Sequence, residues 1–257
     1  MIDAMEGREV VTADIPGAFL QTDYEKGDIH IKLEGDIVTL LEDIDPEYYK
    51  YFIFTDKRGR KCMYAEAKKS IYGTLEASLL FWGKLSKSLK EMGYQRNEYD
   101  WCIMNKIIDN KQCTILWHVD DLKTSHVDPA VVSSVLANID AEYGKIAKMT
   151  ITQGKVHKYP GTTIDYSSPG KVILSMIDYI GKMLDNIPEY MKGESATPAA
   201  HHLFDIAEDA MKLSQADTDL FHHFVAQLLY LSKRARPDIQ LSVYLLCTIV
   251  RGPDTDD

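Results

Sequence analysis

The chain has 257 residues, 45% of them hydrophobic and 26% charged, ordinary globular values that exclude disorder and collagen-like repeats. Lys plus Arg number 29 against 39 Asp plus Glu, a formal net charge of −10 that argues against a generic nucleic-acid binder. The charge is uneven, because residues 1–56 carry 4 basic against 14 acidic side chains, whereas residues 57–96 carry 10 basic against 3 acidic.

Arg8–Ala13 is rich in β-branched residues and predicts a strand that ends at Asp14 and is broken by Pro16-Gly17. Asp28–Leu33 alternates Ile29, Ile31 and Leu33 with polar residues, as a half-buried strand does. Tyr51–Thr55 and Cys62–Ala65 flank the polar run Asp56-Lys57-Arg58-Gly59-Arg60 and predict a hairpin. Over Glu76–Met92 the residues Leu79, Leu80, Trp82, Leu85, Leu89 and Met92 recur at helical spacing, with Gly93 as the C-terminal cap. Trp101–Ile108 and Cys113–Val119 predict two strands joined by Asp109-Asn110-Lys111, the second running into Asp120-Asp121. Pro129–Tyr143 predicts a helix with Val131, Val132, Val135, Leu136 and Ile139 on one face and Gly144 at its end. Thr162–Tyr166 and Lys171–Leu174 predict a hairpin around Ser167-Ser168-Pro169-Gly170. Helices are expected from Ser175, with Asp178 completing a capping-box-like start, from Ser214, and after Pro237. Strands arrive in hairpins with helices between them, which predicts an α+β fold rather than a regular βαβ repeat.

The longest apolar stretches, around Phe224–Leu231 and Ile239–Val250, are too short for a bilayer span, so no membrane partner is expected. The opening residues lack the apolar core of a signal peptide. Cys62, Cys102, Cys113 and Cys247 include no C-x-x-C pair, and a reducing, intracellular compartment is expected. His201-His202 and His222-His223 are vicinal pairs without zinc-site spacing, and no P-loop, Rossmann or G-x-S-x-G motif occurs.

The feature that carries chemistry is His118-Val119-Asp120-Asp121. Two adjacent carboxylates at the end of an apolar strand raise each other's pKa, and a divalent cation relieves that repulsion. Adjacent strand residues point to opposite faces, so both can serve one site only if the chain turns there. A tight hairpin at Asp120-Asp121, with Leu122–Val127 as the returning strand, would do this. An Asp-Asp turn with both side chains in water is the other reading of the dipeptide. Asp14 also ends a β-rich run, either as a turn cap or as a third carboxylate. One carboxylate plus a pair, all at strand ends, is what two-metal phosphoryl transfer requires.

Six blocks in order make the chain resemble the reverse transcriptase of copia-type LTR retrotransposons, from about residue 8 to residue 250. Val11-Thr12-Ala13-Asp14-Ile15-Pro16-Gly17-Ala18-Phe19-Leu20 is similar to the family's D-V-K-x-A-F-L motif. Lys69-Ser70-Ile71-Tyr72-Gly73, followed by Trp82-Gly83-Lys84-Leu85, is similar to K-S-L-Y-G…W-x-x-K-L, and His118-Val119-Asp120-Asp121 to the Y-V-D-D box. Tyr159-Pro160-Gly161-Thr162-Thr163-Ile164 resembles the F-L-G-I-E-I block. Ala196-Thr197-Pro198 and Leu228-Leu229-Tyr230-Leu231 with Arg236-Pro237-Asp238-Ile239 resemble the later blocks.

The resemblance implies a right-hand polymerase palm with an antiparallel sheet, partial fingers and a helical, thumb-like C-terminal region. Palm would occupy approximately residues 1–35 and 94–166, a fingers or palm insertion 36–93, and thumb-like or connection helices 167–257. It implies RNA-directed DNA synthesis with Mg²⁺, or Mn²⁺ in its place, at Asp14, Asp120 and Asp121, with an RNA template, a DNA primer and dNTPs as partners. Phe19 falls where the family sets a ring under the sugar to exclude a 2′-hydroxyl, with a core Phe as the plain alternative. Tyr72-Gly73 would lie against the nucleotide or template, or form an ordinary turn before the helix. Gly161 would support the primer terminus, or simply complete a Pro-Gly turn, and Lys69 and His118 would face primer and template.

The pattern departs from the family in three places. His118 replaces the usual Tyr, Thr74-Leu75-Glu76-Ala77-Ser78-Leu79 replaces L-K-Q-S-P-R, and Gln21-Thr22-Asp23 replaces N-G. Only thirteen residues precede Asp14, which makes the chain read as a piece of a Pol polyprotein lacking its integrase and RNase H regions and part of its fingers. A cytoplasmic virus-like particle is the location that the resemblance implies. The alternative is a catalytically inactive, nucleic-acid-binding remnant of a truncated or domesticated retroelement.

Overall fold

The strand expected before Asp14 forms as β1 (Glu9–Asp14) in the computed structural model, which describes residues 1–189, 193–199, 203–205 and 210–255. The chain divides into two units, Arg8–Thr152 and a second made of Met1–Gly7 with Gln153–Asp257. Residues 153–166, grouped with 94–152 in the sequence reading, thus fold with the C-terminal part. The architecture is α+β with antiparallel sheets.

In the first unit, β2 (His30–Glu34), β4 (Lys61–Glu66) and β3 (Phe54–Thr55) make a small antiparallel sheet in the order β2-β4-β3. Two helices the periodicity did not announce, α2 (Asp36–Ile44) and α3 (Pro46–Tyr49), lie between β2 and β3. Asp45 accepts from the Tyr48 amide at 3.1 Å, and Pro46 opens α3 without sacrificing a donor. Only Phe54 and Thr55 of the expected Tyr51–Thr55 strand pair with β4, because α3 and the turn after it take the preceding residues.

The larger sheet has six antiparallel strands in the order β5 (Gln95–Arg96), β6 (Ile103–Ile108), β7 (Lys111–His118), β8 (Asp121–His126), β1 and β9 (Thr150–Thr152). Strand β7 alternates cleanly, with Cys113, Ile115 and Trp117 buried. Those side chains share a core with Phe81, Leu85 and Leu89 of α4 (Ala77–Glu91) and Val132, Leu136 and Ile139 of α5 (Pro129–Tyr143). Leu79 was expected on the buried face of α4 but is exposed, since Ala77, Phe81, Leu85 and Leu89 define the inward stripe. Helix α5 has the bounds its sequence predicts, with Asp128 accepting from the Ala130 amide at 2.8 Å and Pro129 at the first turn.

Two successive two-residue turns build the β6-β7-β8 meander. Asp109 and Asn110 both take positive φ, 50° and 60°, as side chains that tolerate the left-handed region can. The second turn is Val119-Asp120 rather than Asp120-Asp121, because His118 pairs with Asp121, and Asp121 opens the returning strand.

In the second unit, α1 (Ile2–Met5) precedes the break, and β10 (Val156–Tyr159), β11 (Thr162–Asp165) and β12 (Ile173–Ser175) form a three-stranded antiparallel sheet. Met176, Met183, Phe224 and Leu231 make the core beneath α6 (Ile177–Asp185) and α7 (Gln215–Ser232). Ser214 caps α7 as expected, accepting from the Asp217 amide at 3.3 Å. The capping box at Ser175 does not form, since Met176 is the N-cap residue of α6 and makes no side-chain cap bond. A 3-10 turn at Pro237–Ile239 leads into α8 (Gln240–Ile249). His201-His202 lie outside the described residues. All four cysteines are free. Among the described residues no helix is long and apolar enough to cross a membrane.

Candidate active site

The ends of β1 and β8 and the β7-β8 turn bring the three aspartates together. Asp14 pairs with Asp121 across the β1-β8 ladder, and Asp121 pairs with His118 across the β7-β8 ladder. Thr150 of β9 pairs with Asp14 on its other side. His118, Asp121, Asp14 and Thr150 therefore form one transverse row on one face, with opposed Cβ atoms about 5 Å apart. Leu122, Ala13 and Trp117, one residue along each of three strands, are buried on the other face.

Asp120 sits at the tip beside this row. Val119 takes φ 58° and Asp120 does not take positive φ, the sign pattern of a type II′ hairpin turn. A β-branched residue in the left-handed region is a strained choice. The Ile15 amide holds the turn to the end of β1, donating to the Asp120 carbonyl at 3.0 Å. Backbone strain and a backbone hydrogen bond thus fix where Asp120 lies relative to Asp14.

The carboxylates repel one another. Partial burial, and then the Asp120 charge, push the Asp14 pKa up. Asp121 is pushed up by burial and by both Asp120 and Asp14, with His118 opposing. Hard oxygen donors that disfavour each other's charged forms are the donor set that a divalent cation suits. Among the described residues, the His, Cys, Asp and Glu group whose ligand atoms all lie within 4.8 Å is a different one, Glu34, Asp56 and Cys62. Arg60 already neutralises that cluster, at 2.6 Å from Glu34 and 2.9 Å from Asp56.

Phe19 lies in a 3-10 turn, Ala18–Gln21, that follows Gly17 at φ 61°. The turn is tied down by the Gln21 side chain donating to the Tyr143 carbonyl at 2.7 Å and by Lys84 donating to the Gln21 carbonyl at 2.6 Å. Phe19 is buried against Phe81, and its ring also meets Tyr72 with centroids 4.4 Å apart. The Tyr72 hydroxyl donates to Asp120 Oδ2 at 3.2 Å, and burial with the Asp120 charge raises the phenol pKa. Gly73 has φ 91°, an angle that favours glycine, and no other protein atom lies within 4 Å of where a Cβ would stand.

Lys69 and Gly161 are each held by contacts of their own. Lys69 is bound to Asp23 at 2.6 Å, beside a backbone bridge between the same two residues. Gly161 belongs to the second unit, in the Pro160-Gly161 turn between Tyr159 and Thr162, at φ 68°. Tyr230 of α7 closes over that turn, its hydroxyl donating to the Pro160 carbonyl at 2.6 Å. Neither Ile15 nor Thr150 was singled out by the sequence, which holds no periodic signal for the β1-β9 pairing.

Three of the ten basic residues of 57–96 pair with acids from residues 1–56. Arg60 meets Glu34 and Asp56, Lys61 meets Glu42, and Lys69 meets Asp23. In the reverse direction Lys26 reaches Glu76. These ion pairs are exposed to solvent and join the basic stretch to the acidic one that precedes it.

No family model matches the chain. It is 29% identical over 185 residues to a Saccharomyces cerevisiae protein named for the transposon Ty5-1, over 71% of this chain and 57% of that protein. The chain therefore spans little more than half the length of the curated relative it matches. Among solved structures it aligns with telomerase from Candida tropicalis, apo and in complex with a fragment of telomeric RNA. The TM-scores are 0.40 and 0.39 at 10% identity, over 95% of this chain and 41% and 38% of those chains, a likeness too slight to carry weight. The sequence likeness to a transposon protein fits a retroelement.

Proposed function

We propose that the chain is the RNA-directed DNA polymerase segment of a copia-type retrotransposon Pol polyprotein. The observation that carries this reading is the meeting of Asp14, Asp120 and Asp121 at adjacent ends of β1, β8 and the β7-β8 turn. On this reading the six-stranded sheet and its two helices are the palm, the β2-β4-β3 region belongs to the fingers, and the C-terminal helices are thumb-like.

Asp14, Asp120 and Asp121 would hold Mg²⁺, or Mn²⁺ in its place. Bound there, the ions supply charge neutralisation at the nucleotide phosphates and a more acidic primer 3′-hydroxyl. The protein's own part is positional. Strand pairing sets Asp14 opposite Asp121, and the Val119 turn with the Ile15 amide sets Asp120 beside them. Phe19, backed by Phe81, offers a rigid ring whose clash would exclude a 2′-hydroxyl. Tyr72 covers the outer side of Phe19 and would bound the nucleotide site. His118 would face the primer from the same row as Asp121. Gly161 and Lys69 would act through the segments they shape, the hairpin turn and the Asp23 bridge.

The partners are then an RNA template, a DNA primer and dNTPs, with integrase and RNase H regions in the parent polyprotein and a virus-like particle in the cytoplasm as the setting. Filter binding and primer extension on an RNA template, run together on this chain with Mg²⁺, test the reading. Incorporation of dNTPs supports it. Binding without incorporation favours a catalytically silent remnant, and strand cleavage without dNTP dependence would make the site a nuclease.

A further inference from the structure

Tyr72 holds two contacts that pull in different directions. Its ring rests on Phe19, with centroids 4.4 Å apart and planes 46° apart, and Phe19 is anchored edge-on to Phe81 of the core. Its hydroxyl donates to Asp120 Oδ2 at 3.2 Å. Yet the residue is 56% exposed, so little packing beyond that ring contact restrains it. It also stands next to Gly73, whose φ of 91° leaves the following backbone in a conformation other side chains rarely adopt. An exposed phenol hydrogen-bonded to a carboxylate of the candidate metal site competes with a cation for that oxygen's lone pairs.

We propose that Tyr72 is a positioning residue that lowers the metal affinity of Asp120 by occupying its Oδ2. The inference rests on the assignment of Asp120 as a metal ligand. In the unliganded chain the hydroxyl supplies a hydrogen bond to a carboxylate whose neighbours, Asp14 and Asp121, are also acidic. With a cation held at Asp120, the Tyr72 hydroxyl would share or give up its place at Oδ2, while the ring would keep Phe19 as its support. Metal affinity at Asp120 would therefore be coupled to the Tyr72 hydrogen bond, on the side chain that rests against Phe19.

The test uses Mn²⁺ alone as the probe, with binding followed by electron paramagnetic resonance on the full chain and on Tyr72→Phe, Asp120→Asn and the double variant. Tyr72→Phe keeps the ring and removes only the hydroxyl, and thermal unfolding verifies that the fold is kept. The expected result is Mn²⁺ binding about two- to tenfold tighter in Tyr72→Phe, the worth of one hydrogen bond. That gain should vanish in the Asp120→Asn background, which a merely structural role for Tyr72 would not produce. Unchanged or weaker binding in Tyr72→Phe, with Asp120→Asn still weakening Mn²⁺, overturns this inference and leaves the metal site standing. Mn²⁺ binding indifferent to Asp120→Asn overturns the metal assignment and this inference with it.

Discussion

Gly161→Ala separates a structural glycine from one that touches a primer. The residue sits at φ 68°, where an alanine costs about 1 kcal/mol more than glycine, partly offset by the reduced freedom of the unfolded chain. A Cβ there would stand 3.2 Å from the Tyr230 hydroxyl and 3.3 Å from Cε1, so the ring must shift. That shift strains the 2.6 Å bond from Tyr230 to the Pro160 carbonyl, worth about 1 kcal/mol. The ring cannot move freely, because Arg234 lies 3.7 Å from its centroid on one side and Tyr179 stands 5.3 Å away. The expected loss is about 1–2.5 kcal/mol in urea unfolding, against about 1 kcal/mol for Tyr230→Phe, which removes the bond alone. The double variant should cost less than the two losses together, since both act through one hydroxyl. A Gly161→Ala chain as stable as wild type, or strict additivity with Tyr230→Phe, would refute the reasoning. Full stability with impaired primer binding would instead return Gly161 to a direct contact.

Asp14→Asn should stabilise the fold at neutral pH. The folded-state pKa of Asp14 is raised above its ordinary 3.8, so the folded chain holds that proton to higher pH than the unfolded chain does. The destabilisation is therefore full above the folded value and disappears as pH falls below 3.8. Urea unfolding at several pH values should show the advantage of Asp14→Asn shrinking on acidification, and an advantage independent of pH would contradict it. Leu85→Ala, at a fully buried position of α4, should cost about 3 kcal/mol in the same assay, and a loss under 1 kcal/mol would mean that α4 does not pack as described.

Much of this fold was legible because local signals agreed with tertiary ones. Asp128-Pro129 and Gly144 bracket α5, and its apolar face needs no long-range information. The Asp109-Asn110 turn was legible for the same reason, since both residues tolerate positive φ. The next turn misled, because Asp-Asp reads as a turn by propensity whereas Val119 at φ 58° contradicts its own preference. The strain falls at the candidate site, where local rules are most often broken. Helix α3 carried a readable start in Asp45-Pro46 that the aromatic run after it obscured. The pairing of Lys61 with Glu42 and of Lys69 with Asp23 could not be read at all, since it depends on how β2, β4 and the turns between them meet. The three aspartates were legible as residues, but their order in the row, with Asp14 facing Asp121 and Asp120 at the tip, belongs to strand register.

The most direct test of the central claim is primer extension on an RNA template with Mg²⁺ and dNTPs, comparing the chain with Asp14→Asn, Asp120→Asn and Asp121→Asn at matched folded concentration. If these carboxylates hold the metal ions for nucleotidyl transfer, the chain extends the primer and each variant loses about a hundredfold or more in rate. Extension by Asp120→Asn at near the unmodified rate would contradict the account.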